Sequence, residues 1–164
     1  QKAADNGNTA AMNNLANMYY HGQSVSKNLK KAFDLYFKAA SYGDHIAQFN
    51  LAMMYYEGEY VKKDDKQALI WLTFAAESGY PLAQVRLGTF YKEGLMVKQN
   101  FQSAIYWYLE AAKQNDPAGQ YYVGTCYYYG LGVPKNLAKA KHWLENSARN
   151  GYDGAIAFIK RNKF

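Results

Sequence analysis

Apolar and small residues return at fixed places every 36 residues along this chain. Leu15, Leu51, Leu87, Val123 and Ile159 form one row, and Ala11, Ala47, Ala83, Gly119 and Ala155 another. Tyr19, Tyr55, Tyr91 and Tyr127 make a third. Inside each period the apolar positions fall three and four apart in two stretches, which predicts two amphipathic helices. Between residues 44 and 79 the first stretch carries Ala47, Leu51, Met54 and Tyr55, and the second Ala68, Trp71, Leu72, Ala75 and Ala76. Gly58 stands where a left-handed C-terminal cap is needed, and Gly79 closes the second helix. Asp64 and its mates Asn28, Asn100 and Asn136 are the residue types whose side chains cap a helix start. Val25, Val61, Val97 and Val133 plug the connection, expected to be a loop of about five residues.

A period in this range without an insertion predicts a stacked all-α solenoid. The expected repeats are 8–43, 44–79, 80–115 and 116–151. Ala3, Ala4 and Gly7 match Ala39, Ala40 and Gly43, so residues 1–7 read as the tail of a preceding second helix. Because the chain opens inside a repeat, it reads as a fragment or a processed product. Residues 152–164 read as a lone first helix, a C-terminal cap with Lys160 and Lys163 at formerly packed positions. Ala32, Ala68, Ala104 and Ala140 on the second helices, with Ala16, Ala52, Gly88 and Gly124 on the first, let helices approach closely. Trp71, Trp107 and Trp143 fill the space beside them.

Composition changes this picture little. Hydrophobic residues make up 49% of the chain, enough for a continuous core, and the 17 tyrosines suit helix interfaces that end at water. No apolar run approaches the roughly 18 residues of a membrane span. Cys126, the lone cysteine, shares its place with Met18, Met54 and Phe90 and reads as a buried structural thiol. The charge of +6 is placed along one edge: Lys27, Lys63 and Lys135 share a position that Gln99 breaks, and Lys62 and Lys98 precede it. This row reads as a solvated edge, with an acidic partner or anionic surface as the functional alternative.

The pattern small-x-x-x-Leu-Gly-x-x-Tyr-x-x-Gly, then Val, then Asp or Asn, then Lys-Ala-x-x-Trp-x-x-x-Ala-Ala-x-x-Gly resembles the Sel-1-like repeat, a relative of the tetratricopeptide repeat. Gly124, Tyr127, Gly130, Gly132, Val133, Asn136, Lys139, Ala140, Trp143 and Ala148 carry it most fully. Ala16 and Ala52 depart from the glycine, and the last repeat alone keeps Gly-x-Gly in the loop. The resemblance implies an α-solenoid of helix-turn-helix units wound as a right-handed superhelix, with the first helix of each pair lining a concave face. By helical spacing the free face then holds Asn13, Asn14, Asn17, Tyr20 and His21 in the first repeat. The second gives Phe49, Asn50, Met53, Tyr56 and Glu57, and the third Val85, Arg86, Thr89, Lys92 and Glu93. The fourth gives Tyr121, Tyr122, Thr125, Tyr128 and Tyr129. These positions vary between repeats whereas the packing rows do not. Asparagine amides suit the main chain of a peptide, Arg86 and Lys92 a carboxylate, and the tyrosines an aromatic anchor.

Chemistry is hard to find. His21, His45 and His142 occupy three different repeat positions, and no metal or nucleophile motif is present. Gly130-Leu131-Gly132 lies in an inter-helix loop without the strand that phosphate loops follow. Glu57 and Glu93 share a position but read as exposed. Cysteine-rich members of the family have been linked to β-lactam binding; their paired cysteines are missing here, so that property does not carry over. The expectation is a non-enzymatic module with no cofactor, no metal, no nucleic acid and no small-molecule substrate, whose partner is a protein or peptide held in the groove. The resemblance implies roles such as bacterial envelope or signalling scaffolds, host-directed effectors, toxin-immunity proteins or adaptors in protein quality control. The alternatives are the lysine edge as the binding surface, or the interaction segment of a larger enzyme.

Overall fold

The structure, a computed structural model, describes residues 8–164. The expected second-helix tail at residues 1–7 lies outside the described residues. The described residues are helical and hold no strand. The helices are α1 (Thr9–His21), α2 (Leu29–Ser41), α3 (His45–Glu57), α4 (Asp65–Glu77), α5 (Pro81–Glu93), α6 (Phe101–Lys113), α7 (Pro117–Tyr129), α8 (Leu137–Arg149) and α9 (Asp153–Asn162). Each helix from α1 to α8 has 13 residues, so the 36-residue register is kept through the whole run.

The helix ends form for the reasons their residues suggest. Asn28, Asp64, Asn100 and Asn136 accept backbone amides of the first turn of α2, α4, α6 and α8 at 2.9–3.0 Å. Gly22, Gly58, Gly94 and Gly130 end the first helices with φ between 72° and 75°, the left-handed region that a side chain resists. The connection then runs through 58–64 in the second repeat, longer than the five residues expected. The loop is pinned by the cap residue's own amide: Asn28, Asp64, Asn100 and Asn136 donate to the carbonyls of Tyr19, Tyr55, Tyr91 and Tyr127 at 2.8–3.0 Å. Asn115 takes the place of Gly43, Gly79 and Gly151 and adopts φ 62°, as asparagine can.

The chain divides into two compact units at Ser78 and Gly79. In the first, α1 packs on α2, α2 on α3 and α3 on α4. Its core holds Met12, Ala16, Ala32, Tyr36, Ala39, Ala40, Ala47, Leu51 and Met54, with Trp71 packed against it. In the second, α5 to α9 pack in the same serial manner. Ala104, Ile105, Tyr108, Ala112, Val123 and Cys126 form one cluster, and Leu144, Ala155 and Phe158 another under α9. Lys160 and Lys163 of the last helix are exposed. The small-residue rows are fully buried, and at Gly124 an added Cβ would lie 2.7 Å from Leu144 Cγ. Cys126 is buried, and burial pushes its thiol up to about 11, as a structural rather than a reactive cysteine requires.

Candidate protein-binding faces of the first helices

In the first unit, α1 and α3 carry the variable positions. Asn14 and His21 are exposed, while Asn17, Tyr20, Phe49, Asn50, Met53 and Tyr56 are half-buried. Asn13 departs from the expected free face: it is 4% exposed and its Oδ1 accepts from Asn50 Nδ2 at 3.1 Å. Its position is turned toward α3, so it supports a surface residue instead of being one. Tyr20 donates its hydroxyl to the Glu59 carboxylate. That bond, with burial and the nearby charge, holds its phenol up to about 12.

In the second unit, α5 and α7 expose Arg86 and Tyr129, and half-bury Thr89, Lys92, Tyr121, Tyr122, Thr125 and Tyr128. Most of the expected aromatic anchors are already engaged. Tyr122 stacks on the buried Tyr108 at 4.7 Å. Tyr121 packs on Tyr152 and Phe158, and Tyr128 packs on Phe158 and Phe164 while donating to Asn162 Oδ1 at 3.1 Å. Tyr129, at 56% exposure, is the tyrosine of this group left most open.

Each unit holds a cavity of about 210 Å³ beside its pair of first helices. The first is lined by Asn17, Tyr20, His21, Tyr36, Asn50, Met53 and Met54. The second is lined by Leu82, Val85, Arg86, Thr89, Ala118, Tyr122 and Tyr152. One is therefore amide- and hydroxyl-rich over a methionine floor, and the other is more apolar, with one guanidinium, the Thr89 hydroxyl and two tyrosines.

Sequence reasoning missed the residues behind these faces. Tyr36 and Tyr108 are buried on the second helices, yet their hydroxyls reach through to the first-helix face. Tyr36 donates to Asn17 Oδ1 at 2.5 Å and Tyr108 to Thr89 Oγ1 at 3.2 Å. The sequence carries no clean signal for this: the position reads Tyr36, Leu72, Tyr108, Leu144, and threonine accompanies both Tyr108 (Thr89) and Leu144 (Thr125). The buried row Gln48, Gln84 and Gln120 was also unassigned. Gln84 accepts from Gln114 and Gln120 from Asn150, at 3.0 and 2.9 Å.

The lysine row is tied to the same faces. Lys27 Nζ lies 5.8 Å over the ring of Tyr20, Lys63 5.0 Å over Tyr56, and Lys135 5.6 Å over Tyr128. In the third repeat both members change together. Gln99 replaces the lysine and donates to the Lys92 carbonyl at 2.8 Å, while Lys92 takes the tyrosine's place and points over Tyr122 at 5.4 Å. Edge and face are thus one lysine–tyrosine pairing, worth about 0.5–1 kcal/mol each at such exposure.

A serial array of identical helix pairs, with constant packing rows and a variable face, defines the class: an α-solenoid of protein-interaction repeats. The chain belongs to the Sel1 repeat family, whose repeat matches at residues 9–44, 45–80, 81–116 and 117–152. Sel1 repeats are protein–protein interaction scaffolds, typically non-enzymatic. A Sel1 repeat protein from Oxalobacter formigenes is similar over 98% of this chain and 46% of its own, at 35% identity and TM-score 0.91. A protective antigen of uropathogenic Escherichia coli, c5321, is similar over 96% and 42%, at 28% identity and TM-score 0.65. Helicobacter pylori cysteine-rich protein B is similar over 84% and 98%, at 28% identity and TM-score 0.63. The chain thus spans less than half the length of the first two. No curated protein matches it. Among the described residues no helix is long and apolar enough to cross a membrane.

Proposed function

We propose that the chain binds a peptide, or a projecting segment of a partner protein, on the faces of its first helices. The observation that carries this reading is the pair of cavities, one in each unit, lined by positions that differ from repeat to repeat while the packing rows stay constant. These faces keep Asn14, Arg86 and Tyr129 open, the amide, guanidinium and aromatic groups that interfaces use. The lysine edge is the weaker candidate, because the ammonium groups of Lys27, Lys63 and Lys135 already rest on tyrosine rings.

The test is selection from a displayed random-peptide library with the parent chain beside an Asn14/Arg86/Tyr129→Ala variant. Those three side chains are exposed, so their truncation leaves the core intact, unlike truncation of Asn50 or Tyr122, which support Asn13 and Tyr108. Peptides bound by the parent and lost by a variant of unchanged helicity are expected. Equal retention by both would remove the first-helix faces as the site.

A further inference from the structure

The cavity beside α1 and α3 contains two side-chain amides, each held by a hydrogen bond to a buried side chain. A carboxamide offers an oxygen that accepts and a nitrogen that donates. Buried Tyr36 spends its proton on Asn17 Oδ1 at 2.5 Å, which leaves Asn17 Nδ2 to the cavity. Asn50 spends Nδ2 on the buried Asn13 Oδ1 at 3.1 Å, which leaves Asn50 Oδ1. Both residues line the same space, so one part of the wall donates and another accepts. Met53 and the buried Met54 supply an apolar floor.

We propose that this cavity receives an amide group, from a peptide main chain or from an asparagine or glutamine side chain. The inference rests on the peptide-binding reading above and names the chemistry its first unit recognises. An amide answers both wall groups at once. A carboxylate has no donor for Asn50 Oδ1 and would approach the Glu59 carboxylate that Tyr20 holds beside the cavity. An ammonium group has no acceptor for Asn17 Nδ2. Size points the same way: about 210 Å³ is several times the roughly 30 Å³ share of one water, yet below the roughly 300–1,000 Å³ of sites for whole small molecules. The second unit provides an internal control. There Tyr108 donates to Thr89 Oγ1, and Thr89 spends its own proton on the Val85 carbonyl at 3.0 Å, so the residue in the place of Asn17 has no donor to offer, and Arg86, a cation, is the donor on that wall.

The experiment is an NMR titration of the ¹⁵N-labelled full chain with acetamide, N-methylacetamide and sodium acetate. Saturable shifts of the Asn17 side-chain amide signals are expected with the two amides at concentrations where acetate produces none. A stronger response to acetamide marks a side-chain ligand, and one to N-methylacetamide a main-chain ligand. Asn17→Asp keeps the acceptor for Tyr36 and removes the donor; Tyr36→Phe removes what orients Asn17. Each should weaken amide binding about tenfold with helicity unchanged. No saturable shift, an equal response to acetate, or full binding by both variants would overturn the proposal. Peptides selected through Asn14, Arg86 and Tyr129 alongside a silent amide titration would sink this inference while leaving the proposed function standing.

Discussion

Gln48 shows how a single residue can be judged against its own repeats. Gln84 and Gln120 each accept a hydrogen bond from the residue that ends the neighbouring second helix, Gln114 or Asn150. The residue at that place in the second repeat is Ser78, and Gln48 Oε1 is buried without a protein donor. Ser78 and Asn150 have similar backbone angles, so Ser78→Asn should deliver the missing amide. A gain of about 1 kcal/mol is expected, read as a higher urea midpoint with an unchanged slope. Tyr36 and Tyr108 make the second residue-scale case. Burial raises both phenols well above their ordinary value of 10.0, and Tyr20 follows to about 12. Folding favours their neutral forms, so the stability they contribute is intact below pH 10 and is lost as pH rises through the raised folded values. Urea midpoints should hold to about pH 10 and fall beyond it, with a shallower fall in Tyr36→Phe. Among the twenty face residues inferred from spacing, Asn13 is buried, because spacing gives a direction around a helix but not which neighbour stands there. Tyr36 and Tyr108 were hidden for the converse reason: an aromatic in a packing row conceals where its hydroxyl ends.

At the scale of the element, capping residues and left-handed glycines were legible because each satisfies its helix end locally. The loops were less so. Ser24, Tyr60, Met96 and Gly132 share one loop position, and all adopt φ between 59° and 71°. Backbone conformation alone therefore does not demand glycine there. What demands it in the last repeat is approach: a Cβ on Gly132 would meet Phe101 O at 2.3 Å, a backbone atom that cannot swing aside. Gly132→Ala should cost about 1–3 kcal/mol, measured by urea unfolding. Helix pairing makes a similar demand at Gly124, which sits against Leu144. Gly124→Leu should overpack the α7–α8 pair by about 1–3 kcal/mol and lower the thermal midpoint, again with helicity retained.

For the whole molecule, the lysine row and the variable faces were read from sequence as rival surfaces, and the structure joins them through the rings of Tyr20, Tyr56 and Tyr128. A Lys27/Lys63/Lys135→Gln variant should keep the helicity of the parent. It should bind a selected peptide within about twofold, at low salt and at physiological salt alike, since the lysines lie at the rim of the proposed site. Loss of binding that tracks ionic strength would transfer the function to the edge.

The repeat period, the helix pairs, their caps and the family were determined by sequence alone. Each depends on residues that are near neighbours in the chain, and four copies of one pattern state it four times. Only the tertiary structure decided which variable residues stay open, because that depends on contacts between helices some 36 residues apart. There Asn13 was buried by Asn50, Tyr121 and Tyr128 were drawn under α9, and Asn17 was turned by a tyrosine from the helix behind it.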